Sequence, residues 1–219
     1  MPLQNRVDPF GEIHAVAARG MFTGNRGVIH DPGTKTLTTR RWTTKAWLIC
    51  RCEFKGVRRE PMGRNARTGN AGWTELFFLD EVTALAAGHR PCFYCRREKA
   101  KEFAGSYADA FAIAEPKVMD IDAQLHRERL ASAPKPAATG MLLEQEAIAA
   151  LPDGAMIAAN RDAFAVKGGS LLPWTFEGYG AAVSRQTLGY AKVTLLTPPT
   201  TLAVLRAGYR VVWHPTNGL

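Results

Sequence analysis

The stretch TELFFLDEVTALAAGHRPCFYCRRE, residues 74–98, contains the signals that decide how this chain folds. Its apolar run LFF predicts a short strand, and Asp80 is a suitable N-cap for a helix from about Glu81 to Ala87. Gly88 suits the end of that helix, because glycine readily adopts the left-handed backbone found there. A tight CFYC turn at 92–95 follows. We therefore expect a strand–helix unit that ends in a cysteine turn.

Apolar and polar runs upstream of this unit predict further elements. Residues 45–54, KAWLICRCEF, are apolar and rich in β-forming side chains, which predicts a strand. Earlier, Asp31-Pro32-Gly33 is typical of the turn of a hairpin. Residues 56–72 are polar and rich in glycine and asparagine, so we expect a long loop there.

Downstream of the cysteine turn, helical periodicity runs from Arg96 to about Ala114 and again over 119–131. MLLEQEAIAALP, at 141–152, predicts a short helix. The last third alternates strand-like runs with glycine turns, which indicates a small, mostly antiparallel β unit. A short helix is expected to begin near Pro199, and the tail VVWHP could add a final strand.

These elements predict an α+β fold class. The expected organisation is a basic, cysteine-containing region over 1–131, a linker or exposed loop at 132–140, and a small β-rich unit over 141–219. SAPKPAATG at 132–140 has the proline and small residues typical of such a linker.

Composition narrows the class of protein. A chain of 219 residues with 46% hydrophobic and 22% charged residues is able to bury a sizeable core. No stretch approaches the roughly 18 apolar residues of a membrane span, and Met1 to Phe10 lacks the apolar region of a secretory signal. We therefore expect a cytoplasmic protein with no membrane partner, whose four cysteines bind metal or act in catalysis.

The positive charge is concentrated in one segment. Residues 40–101 carry 14 Lys and Arg against 6 Asp and Glu, whereas the rest of the chain carries 14 of each sign. The whole formal net charge of +8 therefore lies in the segment that also contains the four cysteines. Such a concentration attracts phosphates and favours nucleic-acid binding. A solvated basic face is the alternative interpretation.

The cysteine spacing predicts a zinc site. Cys92 and Cys95 are separated by two residues, which lets both thiolates face one tetrahedral ion. Cys50 and Cys52 lie on the predicted strand, where residues i and i+2 point to the same face. We expect all four as ligands, with His89 or water as alternatives for the fourth position. A buried core cysteine at position 50, or a redox pair in the CxxC turn, are the other interpretations.

The cysteines and their neighbours resemble a known family. Ala84 to Arg96 follows the pattern A-x-x-A-G-[FYH]-R-P-C-x-x-C-R, and WLICRC precedes it at 47–52. Residues 43–100 thus resemble the zinc-binding domain at the N-terminus of the Ada DNA-alkylation-response proteins. The resemblance implies an Ada-like zinc-binding α/β fold for the N-terminal half. In that family the first cysteine accepts a methyl group from a DNA phosphotriester, and by position it is Cys50.

Arginines flank the predicted zinc site on both sides. Arg58, Arg59, Arg64 and Arg67 lie in the 56–72 loop, and Arg96 and Arg97 follow the cysteine turn. Guanidinium groups bind phosphate through paired hydrogen bonds and charge. We predict that these six residues contact nucleic acid.

Two further groups are candidates for chemistry. Asp122 and His126 are four residues apart on a predicted helix, and a carboxylate and an imidazole on one face could hold a metal for nuclease chemistry. A solvated surface pair is the alternative. Trp174, Phe176 and Tyr179 form an aromatic cluster that could stack on bases or pack in the β unit.

The leading hypothesis from the sequence is a zinc-containing DNA-binding protein of DNA repair or nucleic-acid processing. Two alternatives stay open. One is an enzyme, either a metal-dependent nuclease using Asp122 and His126 or a zinc-thiolate methyl acceptor at Cys50. The other is a protein-interaction module whose zinc is purely structural.

Overall fold

A computed structural model of the chain describes residues 1–57, 59–131, 142–188 and 192–216. The fold is α+β, as the sequence predicts. The described residues form two six-stranded sheets, one two-stranded hairpin and five α-helices. The predicted linker at 132–140 lies outside the described residues.

The first sheet gathers the N-terminal strands in the spatial order β2-β1-β7-β3-β6-β8. These strands are β1 (Arg6–Val7), β2 (Ile13–His14), β3 (Phe22–Asn25), β6 (Leu48–Arg51), β7 (Leu76–Phe78) and β8 (Arg90–Pro91). The predicted hairpin is confirmed as β4 (His30–Asp31) and β5 (Thr36–Leu37). Strand β6 lies between antiparallel β3 and parallel β8, which brings the strand containing Cys50 beside the start of the cysteine turn.

Helix α1 (Glu81–Ala86) follows β7 and is capped as the sequence predicts. The Asp80 carboxylate accepts a hydrogen bond from the backbone N–H of Thr83 at 2.9 Å. Gly88 lies in the left-handed region at φ +81°, and this turn of the chain lets it continue directly into β8. Helix α2 (Arg97–Phe111) begins after the cysteine turn, and α3 (Val118–Ala131) matches the second predicted helix.

The second sheet confirms the predicted antiparallel β unit. Its spatial order is β13-β12-β11-β10-β14-β9 and every pairing is antiparallel. The strands are β9 (Leu142–Leu143), β10 (Met156–Ala159), β11 (Asp162–Lys167), β12 (Ser170–Thr175), β13 (Gly178–Tyr179) and β14 (Val193–Leu195). Helix α4 (Gln145–Ala149) is shorter than expected because β9 precedes it, a 3-10 turn spans Arg185–Leu188, and α5 (Pro199–Arg206) matches the last predicted helix.

The prediction of a final strand at the VVWHP tail is wrong. The backbone N–H groups of this segment donate to carboxylate side chains and not to a neighbouring strand. Glu81 is fully buried, and its carboxylate accepts hydrogen bonds from the Tyr209 hydroxyl at 2.6 Å and the backbone N–H of Val212 at 2.8 Å. Asp80 accepts a hydrogen bond from the backbone N–H of His214 at 3.1 Å. We call Asp80 and Glu81 with these partners the carboxylate clamp.

One hydrophobic cluster contains residues of both predicted regions. Ile49 and Leu85 of the N-terminal region are fully buried in the same cluster as Ile157 and Val204 of the C-terminal region. The N-terminal sheet therefore rests on a core to which both halves contribute. Within the described ranges, the chain has no helix with the length and apolar character needed to cross a bilayer.

Candidate metal centre and its surroundings

Three of the four cysteines meet in space. The Sγ atoms of Cys50, Cys92 and Cys95 all lie within 4.8 Å of one another. Cys92 and Cys95 are 8% and 7% exposed, and Cys50 is partly buried. We call these three side chains the thiol cluster.

Backbone pairing explains why the sulfurs converge. Strands β6 and β8 are parallel, with Ile49 opposite Pro91, and the N–H of Cys92 donates to the carbonyl of Ile49 at 3.0 Å. This places the start of the turn beside Cys50. The turn then closes through the N–H of Arg96, which donates to the Cys92 carbonyl at 3.0 Å. Two cysteines from a tight turn and one from the neighbouring strand thus face a common point.

The three thiols strongly influence one another's acidity. Hydrogen bonds from the thiols of Cys50 and Cys95, and from the backbone N–H groups of Cys95 and Tyr94, lower the pKa of Cys92. The pKa of Cys50 is raised, because its thiol is hydrogen-bonded to Cys92 and Cys95 and is removed from water. The hydrogen bond with Cys50 and the backbone N–H of Arg51 act to lower the pKa of Cys95, but its bond with Cys92 and its burial outweigh them, so that pKa is raised. Without a cation, the cluster therefore holds negative charge most readily on the Cys92 sulfur. A second thiolate would be stable only beside a positive ion, because the pKa of each of the other two thiols is raised.

The donor set fits a soft metal ion. Thiolates favour zinc, copper(I) and iron–sulfur centres, while oxygen ligands favour magnesium and calcium. Backbone N–H groups point to the sulfurs of Cys92 and Cys95, as expected where sulfur carries charge. Cys50, Cys92 and Cys95 would hold the ion, which leaves a tetrahedral metal one further position for water or another ligand.

Cys52 is not brought into this group. It is exposed, and its thiol donates to the carbonyl oxygen of Met21 at 3.5 Å. The strand β6 ends at Arg51, so the alternation that would return position 52 to the face of Cys50 does not continue. Of the four cysteines that the sequence predicts as ligands, the structure brings three together and leaves Cys52 apart.

His89, the alternative fourth ligand, lies in the core. It is fully buried, with its ring centroid 4.7 Å from that of Phe78 and 5.1 Å from that of Trp47. The Arg26 Nε donates to His89 Nε2 at 3.4 Å. Burial, reinforced by the charges of Arg26 and Arg129, holds the pKa of His89 well below its usual range. The imidazole is therefore neutral and faces the core, away from the thiol cluster's set of ligand atoms.

The predicted phosphate-binding arginines divide into two groups. Arg96 is buried and pairs with Glu81 at 2.8 Å, so its charge stabilises the carboxylate clamp instead of a phosphate. Arg59 pairs with buried Glu75 at 2.6 Å and lies over the Trp73 ring at 4.1 Å. In contrast, Arg64, Arg67 and Arg97 are exposed. Arg58 lies outside the described residues.

The described surface of the basic segment keeps a positive excess, with eight exposed cations against three exposed acids. Its buried acids neutralise buried or half-buried arginines, as Glu75 and Glu81 do. Eight Lys and Arg of residues 40–101 are exposed, namely Arg40, Lys45, Arg51, Lys55, Arg64, Arg67, Arg97 and Lys101. Three acids of this segment are exposed, namely Glu53, Glu60 and Glu98. Glu60 and Glu98 already pair with Lys35 and Lys101.

Asp122 and His126 do not form a common site. Both carboxylate oxygens of Asp122 accept hydrogen bonds from Arg90, each at 2.7 Å, in a buried ion pair. The His126 ring packs edge-on against Trp42 at 5.4 Å. Burial, with the charges of Arg129 and Lys45, lowers the pKa of His126. The Arg90–Asp122 ion pair therefore connects α3 to β8, and the charge of the Asp122 carboxylate is neutralised by Arg90.

The aromatic cluster chosen from the sequence belongs largely to the packing. Tyr179 is buried and donates its hydroxyl to Asp80 at 3.0 Å. Trp174 donates its indole N–H to the Thr83 hydroxyl at 3.0 Å and packs edge-on against Phe176 at 4.8 Å. These rings join the second sheet to helix α1, and their polar atoms are already used.

A different pair of aromatic residues is open to solvent. Tyr94, inside the cysteine turn, is 71% exposed, and Phe54 packs edge-on against it with ring centroids 5.2 Å apart. Lys55 lies 5.3 Å from the centre of the Tyr94 ring. The sequence offered one signal for this position: the turn holding Cys92 and Cys95 around one point directs an intervening side chain outward.

A second group of metal-binding side chain types occurs at the N-terminal edge. Ligand atoms of Asp8, Glu12 and His14 lie within 4.8 Å of one another. His14 is hydrogen-bonded to Asp8 at 2.8 Å, and Asp8 accepts the backbone N–H of Glu12 at 2.9 Å. Burial raises the pKa of Asp8, against the opposing effects of Glu12 N–H and His14. These contacts close the turn between β1 and β2, which is sufficient to explain the grouping.

Comparisons with protein-family models, with curated proteins and with solved structures found no match to this chain. The likeness to the Ada zinc-binding domain therefore rests on its motif residues. The function is argued below from those residues and the geometry around them.

Proposed function

We propose that this protein is a zinc-containing nucleic-acid-binding protein, with DNA as the favoured partner and a role in DNA repair or nucleic-acid processing. One observation carries the proposal: a three-thiol cluster fit for a soft metal lies within a surface segment whose cations exceed its acids. The ion would organise the turn, and the surrounding cations would bind phosphates.

Electrostatics supports the assignment of the surface. The buried acids Glu75 and Glu81 each pair with an arginine, so each pair contributes little net charge to the field that a ligand meets outside. Three of the predicted arginines, Arg64, Arg67 and Arg97, keep their guanidinium groups at the surface. Exposed cations bind a polyanion mainly through counterion release, without sequence specificity. Binding should therefore be strongly dependent on salt.

When bound, zinc would keep the cysteine sulfurs ionised at neutral pH. The chain itself supplies the geometry: β6 positions Cys50, and the turn after β8 positions Cys92 and Cys95. Arg51 donates its backbone N–H to the cluster while its side chain is exposed. The centre and the basic surface are thus linked through one short strand.

The direct test measures affinity for a labelled duplex of about 20 base pairs over a salt series, with protein whose metal content has been determined by mass spectrometry. We expect log Kobs to fall linearly with log salt, with a slope of about −0.9 for each phosphate neutralised. Each of Arg64→Ala, Arg67→Ala and Arg97→Ala should weaken binding and reduce the slope by about one.

Arg206→Ala is the matched control, because Arg206 is exposed and lies on α5, outside the basic segment. It should leave both affinity and slope unchanged. Absence of binding at low salt, or a slope near zero, would contradict the proposal. If zinc is nevertheless stoichiometric, a protein-interaction module with a structural zinc becomes the better explanation.

A second candidate function, methyl transfer to Cys50, is favoured by one observation. As a residue, Cys50 keeps more exposed surface than Cys92 and Cys95, although all three belong to one buried group of ligand atoms. A Cys50 thiolate would attack the methyl carbon of a DNA phosphotriester. The S–C bond forms as the C–O bond breaks, and the phosphodiester anion leaves.

Intact-mass analysis after incubation with DNA containing methyl phosphotriesters tests this reaction. A gain of one methyl group, mapped to Cys50 and lost in Cys50→Ser, is the expected result. Cys52→Ser should still accept the group, because Cys52 lies outside the cluster. An unchanged mass, or methylation at Cys52, would exclude transfer to Cys50.

A further inference from the structure

A small hairpin beside the thiol cluster presents aromatic and basic side chains together. Phe54 and Val57 form a β-bridge, and the N–H of Val57 donates to the Phe54 carbonyl at 3.2 Å. The two residues between them, Lys55 and Gly56, have φ of +54° and +69°. Positive φ at both central positions is the type I′ turn, which keeps the two flanking strands tightly paired.

The position of Lys55 is conformationally costly. A residue with a side chain is disfavoured in the left-handed region by about 1–2 kcal/mol relative to the right-handed one. In exchange, the turn holds the Lys55 ammonium 5.3 Å from the Tyr94 ring and 5.5 Å from the Phe54 ring.

The aromatic surface itself is open. Tyr94 is 71% exposed and Val57 is 62% exposed, while Phe54 supports Tyr94 edge-on at an interplanar angle of 70°. The Tyr94 backbone N–H donates to the Cys92 sulfur at 3.4 Å, so the turn that holds the ring is fixed by the cluster. A ring on a rigid turn loses little freedom when a ligand stacks on it.

Exposed cations precede the hairpin and follow the cysteine turn in the sequence. Arg51 precedes the hairpin and Arg97 opens α2, and both are exposed. Glu98, the adjacent acid on α2, pairs with Lys101 at 3.3 Å. Lys55 therefore lies against the Tyr94 ring, Arg51 and Arg97 are exposed cations close to the hairpin and to the cysteine turn in sequence, and Glu53 is the exposed acid beside them. We define Phe54, Lys55, Val57 and Tyr94 as the stacking platform.

We propose that the stacking platform binds an unpaired nucleobase of a single-stranded nucleic acid, while Arg51, Lys55 and Arg97 hold the adjacent phosphates. This inference rests on the proposed function and names its substrate class. Aromatic faces bind bases by stacking, and cations track the backbone of a single strand. In a paired duplex the base faces are covered by neighbouring bases, so Tyr94 reaches a base only where pairing is interrupted.

The test compares a fluorescent single-stranded oligonucleotide of about 12 nucleotides, a site size typical of one such module, with the duplex of the same sequence. Tyr94→Ala should weaken single-strand binding about tenfold, as expected for the loss of one stacked base. Tyr94→Phe keeps the ring and should restore binding. Duplex affinity, which depends on the cations, should change less than about twofold.

A 2-aminopurine base placed along the oligonucleotide reports stacking directly, because stacking on an aromatic ring quenches its fluorescence. Quenching at one position by wild-type protein, lost in Tyr94→Ala, is the expected result. The metal content of each variant verifies that the turn is intact. Tyr94 is largely exposed, so its replacement should leave folding unchanged.

The outcomes separate the two proposals. No binding to either nucleic acid overturns both. Binding that is salt-dependent but unaffected by Tyr94→Ala, or reduced equally for single strand and duplex, overturns the stacking platform alone. Sedimentation that shows a dimer dispersed by Tyr94→Ala would make the platform a contact between two copies of the chain, and would also overturn it.

Discussion

The two ends of the strand–helix unit at residues 74–98 differ in whether their acidic groups already have partners within the protein. At the start of α1, the carboxylate clamp gives Glu81 three partners, the Arg96 guanidinium, the Tyr209 hydroxyl and the Val212 N–H. At the other end, the sulfurs of the thiol cluster have one another and a few backbone N–H groups. The clamp is neutralised by the protein, whereas the cluster has ligands ready for a cation.

This difference shows which charged residues are available for function. Burying a charge is costly unless it is paired and hydrogen-bonded, so a satisfied buried pair indicates a structural role. Arg90 with Asp122 and Arg96 with Glu81 are such pairs. Arg97 differs from Arg96 by one position but is exposed at the start of α2. Of these two neighbouring arginines, Arg96 therefore stabilises the fold, whereas Arg97 is exposed and is one of the proposed phosphate contacts.

The largest expected effect tests the thiol cluster. Cys92→Ser should reduce zinc from one ion per chain to none, because one of three sulfur ligands is lost. With free zinc at about a thousand times Kd, the ion stabilises the fold by about 4 kcal/mol. At about 2–4 °C for each kcal/mol, Tm should fall by about 10 °C. Elemental analysis and thermal unfolding measure the two quantities.

Cys52→Ser is the control for that experiment, since Cys52 is exposed and outside the cluster. It should keep both the zinc content and Tm of the wild-type protein. Equal losses of zinc and of Tm in the two variants would mean that Cys52 is also a ligand. The assignment of three cysteine ligands would then be wrong.

Local signals in the sequence predicted much of this unit. The Asp80 cap, the turn at Gly88 and the Cys92–Cys95 turn each depend on residues a few positions apart, and the structure contains all three. The role of Arg96 was not predictable in this way. Its partner Glu81 lies fifteen positions earlier, and the pairing depends on how α1 packs against α2.

Partners that are distant in sequence explain the remaining errors. VVWHP has the apolar pattern of a strand, but its backbone N–H groups bind Asp80 and Glu81, more than 130 positions away. Tyr179 was a candidate for base stacking until its hydroxyl proved to bind Asp80. Pattern alone predicts that a side chain is aromatic or basic, and tertiary contacts decide whether it is still available.

The second prediction tests the clamp. Glu81→Gln removes a buried charge and leaves Arg96 without its counterion, so the free energy of unfolding should fall by about 3 kcal/mol. Glu98→Gln is the matched control, because its pair with Lys101 is on the surface and should contribute less than about 0.5 kcal/mol. Denaturant unfolding measures both. Similar values for the two variants would remove the distinction between buried and exposed pairs.

The smallest expected effect concerns His89, which lies between the two ends in sequence and is fully buried. Burial keeps His89 neutral in the fold, beside Arg26, whose pKa is itself lowered to about 9 by burial and which stays charged at neutral pH. In the unfolded chain a histidine binds a proton near pH 6.5. Below that pH the unfolded state gains a proton that the folded state does not, so stability falls as pH falls.

The expected loss from His89 is about 1.4 kcal/mol between pH 7.5 and 5.5. The loss of stability between the two pH values should be smaller in His89→Gln by that amount. All other titrating groups, the cysteines included, are present in both proteins, so the difference between the proteins reports His89 alone. Denaturant unfolding at the two pH values gives the difference. An NMR signal of the folded His89 ring that titrates near pH 6.5 would show that the imidazole reaches water. The predicted loss of stability at low pH would then not be due to burial of His89.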